Sequence, residues 1–535
     1  MPPHPISLSA LLPELILLVA GCAVLLLGVA TTADRRRLAP WITLLALVTA
    51  VVVVLFDVLI TGRASQPPAA GSGLFYGSLA TFVRIAALEL GVLLVLVNWS
   101  AGREEERGEF LALLLFALTG LLLVAPADNL WLLFLAVELV SIPTYVLVVL
   151  SRSNAAALEA GTKYFYLGAL SAAVLAYGLS FLYGVSGTAS LAATTQAVIH
   201  ALREPNSLQG GLAMVGIVLS LGGLLFKIAA VPLHFYVADV YQGASSPVAG
   251  LLGFVPKLAG LVAIFKIIGV TGFWDTENRA VYWLLWLLAV ASMSVGNVLA
   301  LRQTNIKRLL AYSGVAHAGY MLVGVLAGPL AGKALATDGV SILGNGPAAV
   351  LFYIVIYGLA NLGAFAVLGL LRTRGGPCET LRDVAGLLRR EPGLALLLAL
   401  AMFTLMGLPP TPGFWGKFAL FGSALTASRL TGDTWLIVLV IIAVLNSALA
   451  AAYYLRVIAA VLLYENEQPA YAVPREAQSI GALLCGFLIL IFTFYPSGLM
   501  RAGQRATREL SEPRATAART EIPVASAVDP PFAPP

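Results

Sequence analysis

Five charged side chains, Glu138, Lys163, Lys227, Lys257 and Lys417, lie within or beside apolar stretches long enough to cross a bilayer. A charge at that depth is costly unless it is paired or wetted, so each marks a functional position by default. Four of the five are lysines, a side chain that can give up its proton when desolvated or set near another cation. Buried lysines of this kind point to proton movement across a membrane.

The rest of the 535-residue chain fits such a setting. It is 59% hydrophobic and 11% charged, with a mean hydropathy of +0.91, against about 25% charged residues in an average soluble domain. A soluble globular protein is excluded. The net charge of +5 is dispersed and carries no nucleic-acid signal. Cys22, Cys378 and Cys485 show no metal-ligand spacing. The first apolar run lacks a preceding basic region and reads as a retained helix rather than a signal peptide.

Fourteen apolar segments are expected, at 10–30, 40–60, 75–97, 109–126, 129–150, 162–183, 209–232, 245–269, 281–300, 308–328, 347–371, 393–423, 434–461 and 478–497. The runs are too long and too uniformly apolar for barrel strands. The fold class is therefore an all-α polytopic membrane protein. Segment 7 ends at Pro232, and segment 12 holds Pro409, Pro410 and Pro412. Proline removes a helix hydrogen bond and clashes with the preceding turn, so both segments read as broken helices. The breaks are five segments apart. Segments 4–8 (109–270) and 9–13 (281–461) then form two five-helix units that enter the membrane from opposite sides, the pattern of an inverted repeat. The bland alternative is that prolines are common in membrane helices. Residues 1–108 hold three preceding helices, 478–497 a final one, and 498–535, rich in Ala, Pro, Arg and Glu, read as a disordered tail. Basic residues concentrate in the loops after odd segments (Arg35, Arg36, Arg37, Arg152, Arg302, Lys307, Arg308, Arg389, Arg390). Those loops are assigned to the cytoplasm, which leaves both termini outside.

Glu138 lies near the middle of segment 5. It is either a packing ion pair or a carboxylate that modulates a neighbouring lysine. Lys163, nearer an interface, either snorkels or takes part in transport. Lys227 precedes Pro232 by five residues, and the broken turn offers free carbonyls to water or to a protonated group. Lys257 follows Pro256 deep in segment 8, and Lys417 follows the Gly-Leu-Pro-Pro-Thr-Pro run of segment 12. Lys266 reads as an interfacial anchor. His317 in segment 10 and His234 beside the first break either relay protons or bond across helices. Arg374-Gly375-Gly376 reads as a turn and not a phosphate cradle, and no nicotinamide or flavin motif is present.

The stretches Phe226-Lys227 through Pro232-Leu-His234, Ala238-Asp-Val-Tyr-Gln-Gly243, Pro256-Lys257, Tyr312 to Tyr320 and Gly407 to Phe418 resemble the antiporter-like membrane subunits of proton-pumping NADH:quinone oxidoreductase, respiratory complex I. The subunit N branch matches best, sibling subunit M next, and a multi-subunit Na⁺/H⁺ antiporter third. The resemblance implies fourteen helices with pseudo-symmetric units at helices 4–8 and 9–13. It implies proton-translocating residues at Glu138, Lys163, Lys227, Lys257 and Lys417. It also implies partners in the membrane arm (subunit M and small membrane subunits), a bacterial inner-membrane location, and no cofactor on this chain, with FMN and iron–sulfur clusters on partner subunits. One departure is visible: the family pattern His-x-Trp-x-Pro-Asp reads His234-Phe-Tyr-Val-Ala-Asp239 here.

Overall fold

The computed structural model describes residues 8–29, 37–61, 73–100, 104–204, 206–274, 279–329, 344–466 and 470–511. The helices are α1 (Leu12–Val29), α2 (Ala39–Phe56), α3 (Ser78–Val97), α4 (Arg107–Val124), α5 (Leu130–Leu150), α6 (Ala155–Ser186), α7 (Leu191–Leu202), α8 (Leu208–Lys227) and α9 (Val237–Gly243). They continue as α10 (Ser246–Val270), α11 (Arg279–Leu301), α12 (Ile306–Ala327), α13 (Gly346–Leu370), α14 (Leu387–Arg390), α15 (Pro392–Met406), α16 (Pro412–Thr431), α17 (Thr434–Leu462), α18 (Glu476–Phe494) and α19 (Ser497–Ser511). Among the described residues, thirteen helices are long and apolar enough to cross a membrane. The remaining expected segment, the twelfth, is the split pair α15 and α16.

Burial sorts these helices into a centre and a rim. In α10 and α13 the whole most apolar window is enclosed by protein, and in α12 94% of it is. By contrast α1, α2, α6, α17 and α18 bury a third of theirs or less, and their other faces are open in the isolated chain. A helix that is apolar all round can take either place. Small residues decide the close approaches, as is usual between membrane helices. At Gly178 an added Cβ would stand 2.4 Å from the backbone nitrogen of Ser220, so only glycine lets α6 lie against α8.

Both proline-bearing segments are broken. α8 stops at Lys227, the chain turns through Ala229 at φ 57°, and the stub α9 follows. α15 stops at Met406, Gly407 turns at φ 82°, and α16 begins at Pro412. The Arg374-Gly375 turn joins β1 (Leu371–Thr373) to β2 (Gly376–Pro377), and β1 also pairs with β3 (Tyr471–Ala472). Two elements differ from expectation. Residues 498–511, assigned to a disordered tail, belong to α19. Its apolar Leu499, Ala502, Ala506 and Leu510 recur at helical spacing and pack on the bundle, while Arg501, Arg505 and Arg508 are exposed. Arg514, Arg519 and the remainder to 535 lie outside the described residues. The short helix α7, between segments 6 and 7, had no counterpart among the expected segments.

Candidate functional site

The buried charges meet along the enclosed centre. Lys227 is the last residue of α8, so its side chain leaves the helix where the backbone turns away. Its Nζ donates to Glu138 Oε1 at 2.9 Å, Ser141 Oγ at 2.8 Å and Tyr145 OH at 3.2 Å, all on α5. The free carbonyl expected to receive Lys227 is used otherwise: Phe226 O accepts from Tyr236 OH at 2.8 Å. Glu138, Ser141 and Tyr145 have the 3–4 residue spacing that puts side chains on one helix face.

Lys257, on the enclosed α10, reaches across to α12 and α13. Its Nζ donates to Gly314 O at 2.6 Å and to Tyr357 OH at 3.3 Å. A Cβ at Gly314 would lie 2.7 Å from Lys257 Nζ and from Tyr357 OH, so the contact requires glycine there. A small cavity of about 10 Å³ lies between Lys227 and Lys257, lined also by Tyr164, Tyr236, Leu252 and Pro256. That is at the threshold for one water molecule. Pro256 has no N–H, so the Leu252 carbonyl lacks its usual helix donor and can receive such a water.

One turn beyond Gly314, His317 bonds at both ring nitrogens, Nδ1 to Tyr353 OH at 2.6 Å and Nε2 to Tyr454 OH at 2.9 Å. Tyr454 OH also bonds Ser313 Oγ. Lys417, in the second turn of α16, donates to Met406 O at 2.7 Å and Ser447 Oγ at 2.9 Å and lies 5.0 Å from the Tyr320 ring centroid. Met406 O is one of the carbonyls that the end of α15 leaves without a helical donor. The free carbonyl expected for Lys227 at the first break is thus found with Lys417 at the second, where none was expected. Among the described residues no carboxylate lies within ion-pair distance of Lys257 or Lys417.

Lys163 stands apart from this line. It sits on α6 with its side chain 42% exposed, paired to Glu159 at 2.7 Å and Asp239 at 3.0 Å. Asp239 in turn takes Arg308 at 2.7 Å. Burial pushes the Asp239 carboxyl up, but hydrogen bonds from Arg308 and Lys163 outweigh it and hold the group below its ordinary range. His234 lies in the connector, its Nδ1 buried without a hydrogen-bond partner. Lys266, read as an interfacial anchor, is tied into the protein. It is buried and donates to Ala127 O at 2.6 Å, tying α10 to the connector between α4 and α5.

Several participants were not singled out by sequence reasoning. Lys307, fully enclosed, donates to Gln242 O and Ala244 O at 2.8 Å each and pairs with Glu379 at 3.1 Å. It thereby satisfies carbonyls at the end of α9. Glu379 also pairs with Arg152 at 2.8 Å. Burial raises its carboxyl, yet Lys307 and Arg152 together leave it below the usual value. Glu14 and Arg84 form a second buried pair, at 2.6 Å, between α1 and α3. The rule that marks Lys227, a charge inside an apolar run, marks Arg84 as well. The tyrosines carry no such signal, because a buried aromatic is ordinary core. Among the described residues no group of three or more His, Cys, Asp and Glu side chains could hold a metal ion.

Comparison with known proteins bears on this geometry. Residues 127–447 match the family model described as NADH:quinone oxidoreductase/Mrp antiporter, TM. NADH-quinone oxidoreductase subunit N of Trichlorobacter lovleyi is 36% identical over 94% of this chain and 97% of its own length. A chain of respiratory complex I from Thermus thermophilus superposes with a TM-score of 0.72 at 31% identity, covering 91% of this chain and 98% of that one. A chain of the Mrp complex from Dietzia has a TM-score of 0.78 at 21% identity, over 95% of this chain and 98% of that one, and shows a shared fold. The chain belongs to the NADH:quinone oxidoreductase/Mrp antiporter transmembrane family, and its relatives there include subunit N proteins.

Proposed function

We propose that this chain is a proton-translocating subunit in the membrane arm of a respiratory NADH:quinone oxidoreductase. In this reading Glu138, Lys227, Lys257, His317 and Lys417 carry the proton. The carrying observation is the row of separate polar clusters at Glu138–Lys227, Lys257, His317 and Lys417 through the enclosed centre, with room for one water at the Lys227–Lys257 gap. Charge interacts strongly where water is excluded, so a change at Glu138 alters what Lys227 can hold, and Lys227 acts next on Lys257. Lys163 and His234 lie off that run and serve access to it from the end where α9 is anchored. Two five-helix units, 109–270 and 281–461, are related by inversion, each with one break and one lysine beside it. Quinone chemistry, FMN and iron–sulfur clusters belong to partner subunits. The chain lies in the bacterial inner membrane with both termini outside.

The test is a Lys417→Ala variant in the assembled complex, with quinone reduction and proton release measured on the same vesicles. Protons moved per electron are expected to fall at least two-fold. An assembled variant with an unchanged proton yield overturns the proposal.

A further inference from the structure

A slot of about 300 Å³ opens between α3, α13 and α18, beneath α19. Its walls are apolar, with Phe82 and Leu93 from α3, Leu359 from α13, Phe492 from α18, and Leu499 and Ala502 from α19. Two charged residues break that lining. Glu89 faces the slot from the middle of α3 and is exposed in the isolated chain. Arg505, also exposed, faces it from α19, the amphipathic helix packed across α3 and α13.

We propose that this slot binds one acyl chain of an anionic phospholipid, with Arg505 holding the phosphate. Three observations select that occupant. The volume and apolar walls suit a small hydrophobic ligand, and a helix about 10–12 Å across with its side chains does not enter. On α3 the slot lining runs from Ser78 to Leu93, about 22 Å along the helix axis. That is long enough for an acyl chain reaching across one leaflet, half of a hydrocarbon core roughly 30 Å thick. Finally, Arg505 lies on a surface helix that also carries Arg501 and Arg508. A guanidinium there is complementary to a phosphate in both charge and fork geometry. Glu89 lines the slot part-way along α3, with Leu90 and Leu93 beyond it.

Photolabelling of the purified assembled complex tests this. The probes are phosphatidylglycerol and phosphatidylcholine bearing the same diazirine on one acyl chain, with labelled peptides mapped by mass spectrometry. Slot-facing peptides of α3 and α18 are expected to be labelled at least three-fold more by phosphatidylglycerol. Arg505→Gln should bring the two probes level. Ala502→Trp, which fills the slot, should cut slot labelling at least five-fold and leave labelling of the lipid-facing α2 unchanged. Equal labelling by both probes in the unaltered complex overturns the anionic preference. Labelling indifferent to Ala502→Trp means only the general lipid shell and overturns the slot. Labelling of the isolated chain that vanishes in the complex means that a partner subunit covers the slot, and also overturns it. If Ala502→Trp fails to assemble, the probe ratio in the unaltered and Arg505→Gln complexes still decides.

Discussion

Lys227 and Lys417 both sit beside a helix break, yet their surroundings differ in kind. Lys227 has a carboxylate, Glu138, at 2.9 Å, and two hydroxyls. Lys417 has a backbone carbonyl, one hydroxyl and an aromatic face. A protonated Lys227 is therefore compensated by a full opposite charge and a protonated Lys417 only by dipoles. Two lysines alike in sequence context are thus held by opposite means: the first break passes its carbonyl to Tyr236, the second passes its own to the lysine.

The largest expected effect breaks that contrast if it fails. Lys227→Ala strands Glu138 in a buried site, which costs roughly 3–5 kcal/mol when one partner of a buried pair is removed. Lys417→Ala strands only neutral acceptors, for about 1–3 kcal/mol. Denaturant unfolding of the full chain in detergent should rank the variants in that order. The double variant Glu138→Gln, Lys227→Met should recover most of the Lys227→Ala loss. Equal losses for the two single variants would show that Glu138 does not compensate Lys227.

Gly314 and Gly407 sharpen the comparison at intermediate size. Gly314→Ala places a Cβ 2.7 Å from Lys257 Nζ and displaces the lysine, an overpacking of about 1–3 kcal/mol. Gly407→Ala meets the Lys417 side chain at 3.0 Å and forces a left-handed residue, for about 1–2 kcal/mol. Both variants should lose proton yield along with stability. Gly314→Ala with an unchanged yield would take the Gly314 carbonyl out of the path.

Much of this arrangement was legible in the sequence because the signals were local. Pro232 and Pro409 to Pro412 announce breaks, and charges in apolar runs announce Glu138, Lys227, Lys257 and Lys417. Pairing across the chain was not legible. Lys307 reads as an ordinary loop-end base until the fold sets Gln242, Ala244 and Glu379 around it. Arg-rich composition hid the helical period of α19, since composition averages over the two faces that periodicity separates. Free carbonyls were expected at the first break, but which side chain takes a carbonyl at either break depends on how the surrounding helices pack.

The smallest expected effect lies just past the breaks. Beyond the second, α16 continues for 20 residues. Beyond the first, α9 is only seven residues long and its Asp239 is clamped by Lys163 and Arg308. These pairs are over a quarter exposed, so Asp239→Asn should cost no more than about 1 kcal/mol at neutral pH. The depressed carboxyl sets the sign of the pH dependence. Its stabilisation is fully present above the unfolded value of about 3.9 and is lost as pH falls through the lower folded value. The stability difference between the unaltered chain and Asp239→Asn should therefore be constant above about pH 5 and shrink toward zero on acidification. A difference that persists in acid would mean that Asp239 holds α9 by hydrogen-bond geometry alone and that its charge is incidental.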